Sequence, residues 1–189
     1  MRILGISGSL RRDAHNTRLL RAAAELTPPG VELLVCEALN LKTVPPYDED
    51  DEAGAAPAAV AQWRAAISGA DAVLFATPEY NSSIPGQLKN ALDWVSRPMA
   101  TNPLRNVPVA VIGASPGAFG AVWAQAELKK VVGLIGARVL PIELPVAKAV
   151  MLFDADGRLI DDELRVRLSE VVSALVAAAQ ERQAVQAAS

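Results

Sequence analysis

Apolar residues recur along this chain in two alternating rhythms. Ile3–Ser7, Val31–Cys36, Ala72–Ala76, Val107–Ala114 and Arg138–Ile142 are short and several are apolar throughout, as strands are when both faces of a sheet are covered. Longer stretches between them follow a helical period. Leu88, Ala91, Leu92 and Val95 share one helical face, and Leu164, Leu168, Val171, Val172, Leu175 and Val176 share another near the C-terminus. Strand–helix alternation repeated in this way predicts an α/β fold, a parallel sheet with helices on both faces and right-handed crossovers. Ligands of such sheets bind beyond the carboxyl ends of the strands, where strand order reverses. The loops after the first, third and fourth strands are therefore the ones to search. Residues 1–180 read as one domain, and the Ala/Gln-rich residues 181–189 as a frayed tail. The acidic, proline-containing stretch 45–57 reads as a loop, its Asp48–Glu52 run a solvated surface.

Composition narrows the chemistry. A chain of 189 residues can build one proper core. Its 18 basic and 21 acidic residues leave a net charge of −3, which argues against a nucleic-acid partner, since phosphates call for a basic patch. Cys36 is the single cysteine and His15 the single histidine. An intramolecular disulfide, a cysteine-rich zinc cluster and a His-rich metal site are all excluded, and few routes to a Ser-His-Asp triad remain. No apolar run approaches the roughly 20 residues that span a bilayer, and Met1–Ser9 enters a strand and a polar loop at once rather than forming a secretory leader. A cytoplasmic protein is expected.

The first of the three loops, Gly8-Ser9-Leu10-Arg11-Arg12-Asp13-Ala14-His15-Asn16-Thr17, leads into a helix. Backbone N–H groups and the positive end of that helix suit an anion. The hydroxyls of Ser7, Ser9 and Thr17, the Asn16 amide and the Arg11 guanidinium complete a cradle for a phosphate monoester. The loop matches neither G-x-x-x-x-G-K-[ST] nor G-x-G-x-x-G, which disfavours a triphosphate loop and an ordinary dinucleotide fingerprint. A polar turn with an Asn/Thr helix cap is the competing reading.

The second loop is Thr77-Pro78-Glu79-Tyr80-Asn81-Ser82-Ser83-Ile84-Pro85-Gly86. Its prolines stiffen the backbone and Gly86 permits close approach. Backbone amides near Tyr80 and Asn81 suit the polar edge of a flat heterocycle, with the Tyr80 ring against one face. A plain helix start with Pro85 in its first turn is the alternative. Asp93 and Trp94 on the following helix read as packing or a subunit interface. The third loop, Gly113-Ala114-Ser115-Pro116-Gly117-Ala118-Phe119-Gly120, offers N–H groups suited to a ring carbonyl or a sugar-alcohol chain, or is simply a βα turn. Three such loops at one end of one sheet point to a ligand.

Together these segments resemble the NADPH-dependent FMN reductase family, which includes quinone, chromate and azo-dye reductases. The matching residues are Gly8-Ser9-Leu10-Arg11 with Asn16, Pro78-Glu79-Tyr80-Asn81 with Ile84-Pro85-Gly86 and Leu88–Trp94, and Gly113-Ala114-Ser115-Pro116-Gly117, in the family's order and spacing. The resemblance implies a three-layer flavodoxin-like fold with a five-stranded parallel sheet in the order 2-1-3-4-5. It implies bound FMN, NADPH or NADH as hydride donor, and a small-molecule acceptor such as a quinone, free flavin, azo compound or chromate. It also implies a homodimer that can pair into a homotetramer. Carried over by position, Ser9, Arg11, Asn16 and Thr17 hold the FMN phosphate. Pro78, Glu79, Tyr80 and Asn81 line the isoalloxazine, and Ser115 and Gly117 close its far side.

Two positions depart from the family: Ala14 stands where many relatives carry serine, and Trp123 where they often carry arginine. The flavin supplies the chemistry in such enzymes, so no protein nucleophile is called for. Arg11 and Arg12 are the natural partners of a 2′-phosphate, which favours NADPH. A flavodoxin-type electron carrier is the alternative, set back by the two arginines and the small net charge. A low-molecular-weight phosphatase would have an arginine where Lys42 follows Cys36, which reads as inert core. A response regulator would have an aspartate near Ala76 and Thr77.

Overall fold

The computed structural model describes residues 1–36 and 41–188, the side chain of Ala53 excepted. Along the chain come β1 (Arg2–Ser7), α1 (His15–Glu25), β2 (Glu32–Val35), α2 (Ala58–Ser68), β3 (Ala72–Ala76), α3 (Gly86–Val95), β4 (Pro108–Ala114), α4 (Val122–Leu134), β5 (Arg138–Val139), β6 (Pro145–Val146) and α5 (Asp162–Ala187). The strands are all parallel, in the order β2-β1-β3-β4-β5, the flavodoxin-like order expected.

The sheet's period of two divides one core into halves. In β3, Ala72, Leu74 and Ala76 face α1 and α5, whereas Val73 and Phe75 face α2, α3 and α4. In β4, Ala110, Ile112 and Ala114 turn to the first side and Val109 and Val111 to the second. Every residue of both strands is buried, which is why they read as continuous apolar runs. Trp63, Phe75, Leu88 and Leu128 are among the largest side chains wholly removed from water, each worth about 2–3 kcal/mol of transfer free energy.

The fifth strand differs from the expected Arg138–Ile142. Arg138 and Val139 pair with Pro108 and Val109, and the Leu140 N–H still donates to the Val109 carbonyl. Pro141 has no N–H to continue the ladder. The chain leaves the edge and returns as β6, where Pro145 and Val146 pair with Gly113 and Ala114. Helix α5 also runs past residue 180, through the stretch expected to fray. There Arg182 donates to the carbonyls of Ala70 and Asp71, and Gln183 to the Asp71 carboxylate. A 3-10 turn, Glu49–Ala53, interrupts the acidic loop, with Asp48 accepting from the Asp50 N–H.

Candidate functional site

The loops after β1, β3 and β4 meet at the carboxyl edge of the sheet. Small residues let them touch. A Cβ on Gly8 would come within 2.9 Å of Leu88 and 3.3 Å of Pro78, and one on Gly113 within 2.8 Å of the Thr77 carbonyl. Thr77 is wholly buried and turns its hydroxyl onto the Pro78 carbonyl. The Gly8 N–H donates to Ala76 and the Thr77 N–H to Ile112, so each loop departs from a fixed point.

In the first loop, Ser7 is the hub. Its Oγ accepts from the Ser9 N–H at 3.3 Å and the Thr17 hydroxyl at 3.0 Å, leaving its own proton to donate outward. The Ser9 Oγ accepts from the Arg11 N–H, and the exposed Arg11 guanidinium reaches the Asp13 carbonyl. The Asp13 carboxylate receives two hydrogen bonds from Arg18, which hold its pKa below the usual carboxylate range. Ala14 stands at the N-cap of α1 and supplies no side-chain cap. The first-turn N–H groups therefore face outward with the positive end of the helix. His15, the first residue of α1, stacks on Phe153 with ring centroids 6.4 Å apart, and its Nδ1 is buried without a partner.

Asn16 also joins the cradle to the third loop. Its amide is buried at 2 % exposure, where Nδ2 donates to the Ala114 carbonyl at 3.0 Å and Oδ1 accepts from the Ala114 N–H at 2.9 Å. β3 ends short of Ala114, and the Asn16 side chain stands in for the missing strand. It ties the first loop to the third with Oδ1 and one Nδ2 proton, leaving the second Nδ2 proton and the main-chain N–H for a ligand.

Glu79 is also a fastener. Its Oε2 accepts from the Trp123 and Ala124 N–H groups at 3.0 and 3.1 Å, capping α4 from the second loop. Ser83 completes the link through its hydroxyl to Glu127 at 2.6 Å. Tyr80 and Ser83 exchange N–H···O bonds across a tight turn in which Asn81 and Ser82 take φ of 52° and 60°. Such angles are costly for non-glycine residues and are stored where a loop must hold one shape. The Tyr80 N–H is thus occupied, in contrast to the expectation, while those of Asn81 and Ser82 have no partner among the described residues. The Tyr80 ring is 48 % exposed, and Phe119 and Trp123, whose rings lie 4.9 Å apart, are 63 % and 47 % exposed. Pro78 is buried against Gly8. Asp93 pairs with Lys89 one turn away at the surface, while Trp94 is buried and donates to the Pro45 carbonyl.

In the third loop, Ser115 and Gly117 lie side by side, a Cβ on Gly117 falling 3.6 Å from the Ser115 Oγ. A wall absent from the sequence reading closes over them. Lys148 donates its N–H to the Gly117 carbonyl and Ala149 to that of Ser115. Gly120 (φ 60°) passes so near β6 that a Cβ would lie 2.5 Å from the Val146 nitrogen. Below, the buried Gln125 donates to the Gly120 carbonyl. The segment containing Lys148 and Phe153 carries no local motif, and only the broken fifth strand brings it here.

Known proteins with this arrangement decide the assignment. Residues 1–150 match the family model described as NADPH-dependent FMN reductase. The chain belongs to that family. It is 43 % identical over 178 residues to an NAD(P)H-dependent FMN reductase of Pseudomonas aeruginosa, covering 93 % of each chain. It is 36 % identical to an NADPH:quinone oxidoreductase of Arabidopsis thaliana, over 94 % of this chain and 91 % of that one. Among solved structures it superposes on FerB, a flavoenzyme NAD(P)H:(acceptor) oxidoreductase of Paracoccus denitrificans, with a TM-score of 0.85 and 35 % identity, covering 95 % and 97 % of the two chains. This FMN reductase is accordingly an NAD(P)H-dependent oxidoreductase with FMN as its cofactor. The residues present fit that group. An uncapped helix end, the free Ser7 hydroxyl proton and a buried, unpartnered His15 nitrogen border one end of the site. An exposed tyrosine and two free N–H groups border the other.

Proposed function

We propose that the three loops hold FMN with its phosphate on the first and its ring between the second and third, and that the acceptor is a quinone-type small molecule. The observation that carries this reading is the uncapped N-terminus of α1 standing across the carboxyl edge of the sheet from the open Tyr80 ring. Ser9, Thr17, Arg11 and the Asn16 N–H serve the phosphate, with Ser7 donating from the hub. Pro78 and Tyr80 border the ring, the Asn81 and Ser82 N–H groups meet its polar edge, and Glu79 holds that loop in place through α4. Ser115 and Gly117 close the far side.

When bound, FMN accepts hydride from the nicotinamide and passes reducing equivalents to the acceptor. The protein positions these partners and excludes alternatives. Fixed N–H donors on the strained Tyr80–Ser83 turn favour negative charge at the pyrimidine edge, because they need no rearrangement when it develops. Exposed Arg11 and Arg12 favour NADPH through its extra phosphate. Acceptor names among the relatives support the quinone class: quinone reductases in Pseudomonas putida and NADPH:quinone oxidoreductases in plants. Exposed Phe119, Trp123 and Leu134 on and before α4 support a homodimer, with a homotetramer as its pairing. No helix of the described residues is long and apolar enough to cross a membrane, and a lone cysteine suits a reducing compartment, so we place the enzyme in the cytoplasm.

Steady-state oxidation of NADPH by the FMN-loaded protein with a benzoquinone, and no partner protein, tests the proposal. Turnover that saturates in both substrates is expected. A protein that turns over only when a redox partner protein is added would be a carrier, and the proposal would fall.

A further inference from the structure

Among the described residues, His15 is the one titratable group at the phosphate end of the site whose side chain lacks a partner for a buried atom. Its place follows from the fold. As the first residue of α1 it projects back toward the helix N-terminus, because Cα–Cβ bonds in a helix tilt that way. The ring is held from behind by Phe153, at an interplanar angle of 25°. Phe153 is itself held by the bridge Phe153–Leu159, and a Cβ on its turn residue Gly157 would lie 3.5 Å from the Arg18 Nε. A buried imidazole nitrogen without a partner is unusual in a folded protein, and here it borders the uncapped end of a helix.

Among the described residues the charges that act on it are three. From the loop come Arg11 and Asp13, and from α1 itself Arg18, which is already bonded twice to Asp13. From the turn after β6 comes only the apolar Phe153 at the ring, with Asp154 acting on Arg18. Cations and the helix dipole therefore outweigh Asp13, and burial adds to their effect. Together they lower the His15 pKa, burial first and then Arg11 and Arg18. A dianion seated on the helix end would reverse the sign of that field.

We propose that His15 couples FMN binding to proton uptake. The imidazole is neutral when the site is empty and takes a proton from solvent as the phosphate monoester settles on α1. The unpartnered nitrogen then lies in an ion-paired cluster, and the protein distinguishes FMN from riboflavin by charge as well as by hydrogen bonds. This inference rests on the flavin reading above. It makes the affinity for FMN, and not for riboflavin, dependent on pH near neutrality.

Isothermal titration of FMN and of riboflavin into the apoprotein at pH 7, in two buffers of different ionisation enthalpy, counts the protons exchanged. For the wild type, FMN binding should take up on the order of half a proton, and riboflavin binding none. The phosphate's own second ionisation, with pKa about 6, acts in the opposite direction and so cannot imitate uptake. His15→Phe keeps the stack on Phe153 and removes both nitrogens. It should abolish the uptake and weaken FMN about twofold at pH 7, which is all the linkage that half a proton supplies, while leaving riboflavin unchanged. Equal proton counts for wild type and His15→Phe, or no uptake by the wild type, would overturn the role of His15 while leaving the flavin site standing. Failure of both flavins to bind the wild type would instead remove the flavin reading, and this inference with it.

Discussion

Replacing Asn16 by alanine separates two accounts of the first loop. If Asn16 is chiefly a phosphate ligand, its loss should weaken FMN and leave the empty protein unaffected. In the structure both polar atoms of the side chain are bonded to Ala114, itself only 2 % exposed, so its loss should reach the empty protein as well. Asn16→Ala leaves a buried N–H and a buried carbonyl without partners, at about 1–3 kcal/mol for each group. Allowing for partial relaxation, a loss of about 2–4 kcal/mol is expected. In a chain of this length each kcal/mol moves the melting temperature by about 2–4 °C, so the apoprotein should melt about 4–16 °C lower. Asn16→Asp sets a carboxylate oxygen against the Ala114 carbonyl and should be at least as damaging at neutral pH. The assay is thermal unfolding of the flavin-free protein, followed by circular dichroism. An apoprotein Tm unchanged to within about 1 °C, alongside weaker FMN binding, would refute the reasoning.

Other substitutions probe the remaining joints. Glu79→Ala removes the α4 cap and should cost about 1–2 kcal/mol, with Glu79→Gln recovering part of it; urea midpoints of the two variants check the order. Gly120→Ala must place a Cβ 2.5 Å from the Val146 nitrogen at a φ of 60°, and should cost about 3 kcal/mol or more. A wild-type urea midpoint for that variant would show that the wall over the third loop is looser than described. The pH dependence of apoprotein stability follows from His15. Its folded-state pKa lies below 6.5, so the unfolded chain binds more protons as pH falls. Stability should be fully present above about pH 6.5 and decline as pH falls from there toward the folded-state pKa. Urea midpoints between pH 5 and 8 should therefore slope more steeply for wild type than for His15→Phe.

The strands and their covering helices were legible because the signal is local, apolar runs for strands and helical spacing for their covers, whereas the strand order came from the resemblance of the loops to the family. β5 was misread at its end for a local reason too. Pro141 and Pro145 sit inside an apolar run, and apolarity alone does not show where a ladder breaks. The site loops were found by their glycines, prolines and hydroxyls, yet the work of two residues was not. Asn16 and Glu79 carry polar groups toward partners 98 and 44 positions away, and residue type does not reveal whether such a group meets a ligand or the protein. The extension of α5 depends in the same way on Arg182 and Gln183 reaching Ala70 and Asp71. Phe153 and Lys148, which close the site, have no motif at all.

The central claim is that one site between three loops binds FMN and brings it to NAD(P)H. The most direct test is the absorption spectrum of the purified protein, loaded with FMN, desalted, and then treated with NADPH in the absence of oxygen. Flavin bands that survive desalting and bleach with the first equivalent of NADPH are predicted. Bands that survive but stay unbleached by NADPH and NADH alike would contradict the account.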